Sequence, residues 1–531
     1  MPYAVPALGH LFQFLRDGQS LMSKASTFID HSVPTQIILP VFSNYVVSGP
    51  ESVVAYFKES RDLSTTSRSL AIMVHAFGCP KNMVHFFKPQ QPSAESPKQP
   101  GEDIEQLIHR AVKTGLSGAN LDALTTRYQG NVAAAVETGS VFDTGDSWTE
   151  LPDLNAFVEK RVFEAAVQSM FGTYMLSLNP TLADDFWAFN RVIGTLFMGL
   201  PRWLSPAAYR ARDKMLQNIE RWQRHGEQHC DIERLGDKDW EPYYGSTFIR
   251  ERQRLLDKRG ILDPTARAAE NFAFMWATNS NSVPAATWFL YEVLRDPQLQ
   301  SRVRTIITPA ASEVPPEKEP NKTVLTFDTP KLCSDPLLQS LYAETLRLRV
   351  AVLVVREPAR DNFSFRGWHI KRSEILSIST RTEAMNQDVW STGSDEDPHP
   401  LDTMWADRFI VDPKNPNSGP LRLSKHRRGK ATVPGGEANG HAVARKPYFS
   451  MDGLSASWIP YGGGTSLCPG RHFAKQEIIT TAAILLTAYD FELVDMEGKD
   501  PPQVDMSCFG FGTMPPNKAI PFRIRRSQCR T

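Results

Sequence analysis

Apolar residues recur every three or four positions over 104–116, 155–170, 208–228, 264–295 and 335–349, the spacing of helices with a buried face. Shorter runs at 36–47, 362–378 and 519–525 alternate or cluster β-branched and aromatic residues and predict strands. The expected fold is therefore mainly α with small β-sheets, an α+β arrangement. Three polar segments, 88–103, 309–323 and 413–445, are too rich in Pro, Ser, Gln, Asn and charge to bury a core and read as surface loops. The last carries the run Lys425, His426, Arg427, Arg428, Gly429 and Lys430, which reads as a solvated loop rather than a docking patch.

The stretch 264–295 is apolar on both flanks and would run on the order of 45 Å as a helix, long enough to cross a large domain. Its middle is a cluster of poor helix formers, Thr278, Asn279, Ser280, Asn281 and Ser282, followed by Pro284. Pro284 lacks an amide hydrogen and its ring presses on the carbonyl of Ser280, so a buried helix should open there. A tolerated kink is the plain reading; a polar notch facing a cofactor or its water is the functional one.

Composition adds mostly exclusions. Fifty-nine basic and 59 acidic side chains cancel, which argues against nucleic acid as the main partner. The six cysteines, at 79, 230, 333, 468, 508 and 529, show no CxxC spacing, so reduced thiols are expected rather than a zinc site or a disulfide framework. No run reaches the ~18 apolar residues of a membrane span, and the opening lacks the layout of a signal peptide. Asn321 and Asn362 begin glycosylation-type triplets, which without a secretion signal read as chance.

The chemistry lies near the C-terminus, in Trp458-Ile-Pro-Tyr461-Gly-Gly-Gly464-Thr-Ser466-Leu-Cys468-Pro-Gly470-Arg471, followed by a helical pattern. The glycines permit close backbone approach. A cysteine just before a helix start can be held as a thiolate by amide donors and the helix dipole, and thiolate is what a soft iron ligand must be. Alone, such a cysteine is more often structural. Its neighbours change this. Glu344 and Arg347 in Leu341-Tyr-Ala-Glu-Thr-Leu-Arg lie on one helical face, and Trp405-Ala-Asp407-Arg408-Phe409 offers the same glutamate a second arginine.

A notched long helix, an ExxR helix, an aromatic-acid-Arg-Phe segment and a glycine-rich cysteine loop, in that order over 264–526, resemble the cytochrome P450 superfamily. The resemblance implies a single haem-thiolate domain over 1–531 holding haem b (iron protoporphyrin IX). Cys468 would be the axial iron ligand, with Tyr461, Gly464 and Gly470 beside the cofactor. Glu344, Arg347 and Arg408 resemble the family's structural triad, and Arg356 its propionate-pairing arginine. Residues at 276–288 resemble the branch of the sterol 7α-hydroxylases, sterol 12α-hydroxylase and prostacyclin synthase.

Two departures from the family pattern stand out. Ser466 replaces the usual basic residue two positions before the cysteine, which removes one propionate contact. Asn281 and Ser282 replace the usual acid and threonine of the notch; Ser282 can relay a hydrogen bond, whereas Asn281 cannot titrate. Both are candidate catalytic residues, with proton delivery expected through Ser282, water and the carbonyl released by Pro284.

The resemblance implies a monooxygenase acting on a small apolar substrate (a sterol, lipid or secondary metabolite) with electrons from NADPH-cytochrome P450 reductase. The alternatives are an isomerase or dehydratase that needs no external electrons, and a non-catalytic haem sensor or carrier. Phe509, Phe511 and residues 352–355 occupy pocket-lining places in relatives. The opening segment, similar to that of microsomal members, implies membrane association at the cytosolic face of the endoplasmic reticulum if an anchor precedes it. The long inserts suggest a fungal style and secondary metabolism.

Overall fold

The computed structural model describes all residues except 4–7, 29–32, 41, 89–103, 138–146, 237, 258–261, 315–323, 416, 423–445, 495–497 and 528–531. The basic run at 425–430 and Asn321 therefore lie outside the described residues. The chain forms two compact units, Met1–Ser64 with Cys333–Leu467, and Thr65–Leu332 with Cys468–Thr531.

The first unit is built on a sheet. The run predicted at 36–47 is a hairpin, Thr35–Ile38 with Ser43–Val46. Strand Ile375–Ser379 lies parallel to the second hairpin strand and antiparallel to Val350–Pro358, with Leu376 opposite both Tyr45 and Arg356. The remainder of 362–378 is a second hairpin, Phe363–Phe365 with Trp368–Ile370. Its two-residue turn puts Arg366 and Gly367 at φ of 50° and 84°, the geometry that matches strand twist. Tyr45, Val53, Tyr56, Phe363, Leu376 and Ile459 share the core beneath.

The ExxR helix runs Pro336–Arg349. Asp335 caps it by accepting from the Leu337 and Leu338 amides (2.9 and 3.0 Å), and Pro336 occupies the first turn, where its missing N–H costs nothing. Every residue from Ser340 to Arg349 is buried. This helix is enclosed on all sides, so its charged residues need partners inside the protein.

The second unit is helical. The predicted helices are Ile104–Gly115, Leu154–Phe171, Pro206–His229 and, in place of one helix over 264–295, the pair Pro264–Asn279 and Ser282–Leu294. The chain breaks at Ser280 and Asn281, and Pro284 becomes the third residue of the second helix. Its ring sits where the first turn needs no amide donor. Every residue from Ser282 to Val293 is buried, and this helix packs against Leu154–Phe171 and Arg471–Ala488. The C-terminal run 519–525 corresponds to strand Phe522–Arg526, which lies between Tyr489–Leu493 and Thr149–Leu151. One expectation fails: within the polar insert 309–323, Ala311–Val314 is a strand paired with Val324–Phe327 rather than loop. Alternation there was masked by proline and glutamate on both sides.

No helix among the described residues is long and apolar enough to cross a membrane.

Candidate functional site

Within the first unit, Glu344 accepts from both arginines that the sequence brought to it. Arg347 donates from Nε and Nη2 (2.6 and 2.8 Å), and Arg408 from Nε (2.9 Å). All three side chains are buried. Burial alone would raise the Glu344 carboxyl, but the two guanidinium groups outweigh it and hold the carboxyl below its ordinary value. The remaining N–H groups go to carbonyls: Arg347 to Ala384 and Leu401 (2.9 and 2.7 Å), Arg408 to Ser391 and Pro400. Because each charge is paired and each fork is filled, the cluster ties the helix to the segments around 384, 391 and 401. The amide of Phe409 donates to Ser340 (3.0 Å), a contact the sequence did not flag.

The same helix anchors the start of the cysteine loop. The Trp458 indole donates to the Ala343 carbonyl (2.9 Å), and the Tyr461 hydroxyl hydrogen-bonds that of Tyr342. The loop then turns through Gly462 and Gly464, at φ of 69° and 66°. A Cβ on Gly463 would lie 2.7 Å from the Phe57 ring, so a side chain there has no room.

Arg356, on strand Val350–Pro358, reaches this loop. Its Nη1 donates to Ser466 Oγ (3.2 Å) and its Nη2 to the Gly463 carbonyl (3.4 Å). Ser466, noted as a missing basic residue, is thus an Arg356 contact. Arg356 is only 4% exposed, and its Nε has no partner among the described residues. A buried guanidinium with an orphaned donor suits an anionic group such as a propionate. Residues 352–355 on the same strand are half-buried.

In the second unit, Cys468 lies three residues before the start of helix Arg471–Ala488. Burial pushes its thiol up; the backbone N–H groups of Gly470 and Arg471 and the Arg471 charge pull it down without overcoming burial. A Cβ on Gly470 would sit 3.8 Å from the sulfur, an ordinary contact, so space alone does not demand glycine there. Among the described residues no three His, Cys, Asp or Glu side chains converge as a metal site. A lone cysteine with two amide donors suits a metal whose other ligands come from a macrocycle, as in haem. Each taken by itself, the Cys468 sulfur and the orphaned Arg356 donor have the chemistry that this cofactor needs.

At the notch, the Ser282 hydroxyl donates to the Thr278 carbonyl (3.2 Å). It also neighbours Glu477, a buried acid in the middle of helix Arg471–Ala488 that sequence reasoning missed. Burial pushes the Glu477 carboxyl up to about 8, and the Ser282 hydroxyl pulls it part-way back. Neither carboxyl oxygen has a well-formed hydrogen bond among the described residues. At neutral pH the carboxyl keeps its proton and can donate toward Ser282 Oγ, which donates onward to Thr278. A sequence signal existed: Glu477 is followed by Ile478 and Ile479, an acid placed inside an apolar helical run. Asn281 points elsewhere. Its Oδ1 accepts from the Thr513 amide (2.8 Å), and its Nδ2 donates to Ser280 Oγ (3.3 Å).

No family model matches the chain. It is 50% identical to Cytochrome P450 monooxygenase fsoE of Humicola fuscoatra over 99% of this chain and 87% of that one. It is 25% identical to Cholesterol 7-alpha-monooxygenase of Cricetulus griseus over 80% of this chain and 76% of that one, a member of the branch suggested by residues 276–288. The fold is similar to that of retinoic acid-bound cyanobacterial CYP120A1, with a TM-score of 0.61 and 16% identity over 99% of this chain and 98% of that one.

Proposed function

Because this chain belongs to the cytochrome P450 superfamily, as an oxidoreductase of its monooxygenase kind, we propose that the whole of 1–531 acts as one haem-thiolate domain oxidising an apolar small molecule. One oxygen atom of O2 enters the substrate and the other leaves as water, with two electrons and two protons supplied. The electrons come from NADPH-cytochrome P450 reductase. Cytochrome P450s in general carry haem bound through a cysteine thiolate; here Cys468 is the ligand, Arg356 takes a propionate, and Tyr461, Gly464 and Gly470 shape the loop beside the cofactor. When bound, the haem supplies oxygen activation.

The observation that carries this reading is the pairing of Ser282 with Glu477. Oxygen reduction to water consumes protons, and a hydroxyl beside a carboxyl that stays protonated at neutral pH can hold and pass one. An isomerase of the same family would have no use for that proton store. The substrate belongs to secondary metabolism or to the sterols and lipids; the name of one relative, Cholesterol 7-alpha-monooxygenase, supports a sterol.

Membrane association is supported by an apolar surface segment between helices Ile193–Phe197 and Pro206–His229, where Met198, Trp203 and Leu204 are exposed, Trp203 by 78%. We place the protein at the cytosolic face of the endoplasmic reticulum. Flotation with liposomes tests this: Trp203→Ser with Leu204→Ser should reduce bound protein, and unchanged binding would remove the support.

Substrate-dependent NADPH oxidation in the presence of reductase should accompany product formation; turnover without electrons would instead establish isomerisation. Cys468→Ala should abolish the carbon-monoxide difference band of the reduced protein, and a surviving band would refute the ligand assignment.

A further inference from the structure

The asparagine at the notch has its acceptor already engaged. Asn281 Oδ1 takes the Thr513 amide hydrogen at 2.8 Å. It also fills the space above Gly512, where a Cβ would lie 2.0 Å from that oxygen. Gly512 has φ 156°, so this strand, Phe511–Thr513, needs glycine for both its backbone and its neighbour. A second bond holds the following residue, since the buried Trp288 indole donates to the Met514 carbonyl (2.8 Å). The strand is therefore fixed twice to the helix after the opening, at its cap Asn281 and at Trp288 two turns on.

What this fixes in place is Phe511. Its ring meets the Phe197 ring at a centroid distance of 5.5 Å, edge to face. Gly194 makes room for it, since a Cβ there would fall 2.8 Å from Phe511 Cε2. Phe197 in turn meets Trp276, one turn before the notch, at 5.5 Å, and the Trp276 indole donates to Asn190 Oδ1 (2.9 Å). Aromatic side chains have few rotatable bonds, so once the strand is held the wall they form is stiff.

We propose that Asn281 is a positioning residue that determines substrate size selectivity: by latching the Thr513 amide and packing on Gly512 it holds Phe511 against Gly194 and Phe197 as an aromatic wall beside the notch. An amide serves this better than a carboxylate, because it keeps the acceptor without burying a charge. A stiff wall yields less to a bulky ligand than to a small one. This inference rests on the haem-thiolate reading above.

The test uses the full-length ferric protein with two azole probes, imidazole (small) and clotrimazole (bulky), titrated by absorbance. One hydrogen bond of this kind is worth about 0.5–1.5 kcal/mol, or about two- to tenfold in an equilibrium. Asn281→Ala should tighten clotrimazole about two- to tenfold relative to imidazole. It should also speed hydrogen exchange at the Thr513 amide. Asn281→Asp keeps the acceptor at the cost of a buried charge and should restore both readouts in part, whereas Asn281→Leu should restore neither. Phe511→Ala should change the azole ratio in the same direction, and the double variant should be less than additive. An unchanged exchange rate, an unchanged ratio, or strict additivity would overturn the latch. A wild-type protein without a thiolate-type spectrum would sink the haem reading and the selectivity role together, while the exchange measurement still judges the Asn281–Thr513 bond by itself.

Discussion

Glu344 and Glu477 are both fully buried on helices, yet the protein treats them in opposite ways. Glu344 receives three N–H groups from two arginines and stays ionised below its ordinary pKa. Glu477 has the Ser282 hydroxyl beside it and no cation among its electrostatic partners in the described residues, and burial pushes it up to about 8. A buried carboxylate with two guanidinium partners locks segments together, since moving any one of them strands a charge. One without a cation is costly to ionise and keeps its proton instead. The first arrangement is suited to holding shape and the second to holding a proton.

The largest effect should come from removing the first. Glu344→Ala leaves two buried arginines without a counter-charge, and we expect a loss of about 3–5 kcal/mol. Denaturant unfolding and the yield of haem-loaded protein measure it; a wild-type unfolding midpoint would show that the cluster contributes nothing to stability.

Glu477→Gln should act in the other direction. An ordinary glutamate titrates near 4.5, while native Glu477 titrates near 8, so between these values the folded state binds the extra proton. Stability is then fully present below about pH 4.5, falls as pH rises through the window, and reaches its lowest value above about pH 8. Glutamine never ionises and avoids that loss. The variant should match wild type near pH 5 and exceed it at about pH 9 by on the order of 2–4 kcal/mol. Equal stability at both pH values would mean that Glu477 is not the isolated acid described.

A smaller effect separates the proton store from its outlet. Ser282→Ala should lower product formed per NADPH consumed by about tenfold, with Ser282→Thr restoring most of it. Full coupling in the alanine variant would remove Ser282 from proton transfer.

Much of the architecture was legible along the chain because helix periodicity and capping are local. Apolar spacing announced the ExxR helix over 335–349, and the asparagine-serine-proline cluster announced the break in 264–295. The pairing of Ala311–Val314 with Val324–Phe327 was not legible, because these short strands border proline- and glutamate-rich sequence. Glu477 was overlooked for a different reason: its meaning depends on which groups fail to reach it, and no linear pattern records an absent partner.

The order of motifs along the sequence by itself pointed to the family, which the 50% identical relative then showed, and the three-residue spacing of Glu344 and Arg347 put them on one helical face. Only the tertiary structure decided what the departures do. Ser466 turned out to accept from Arg356, and Asn281 to accept from the Thr513 amide, 232 residues away. Such assignments depend on which backbone groups folding brings within about 3 Å, a distance that sequence separation does not encode.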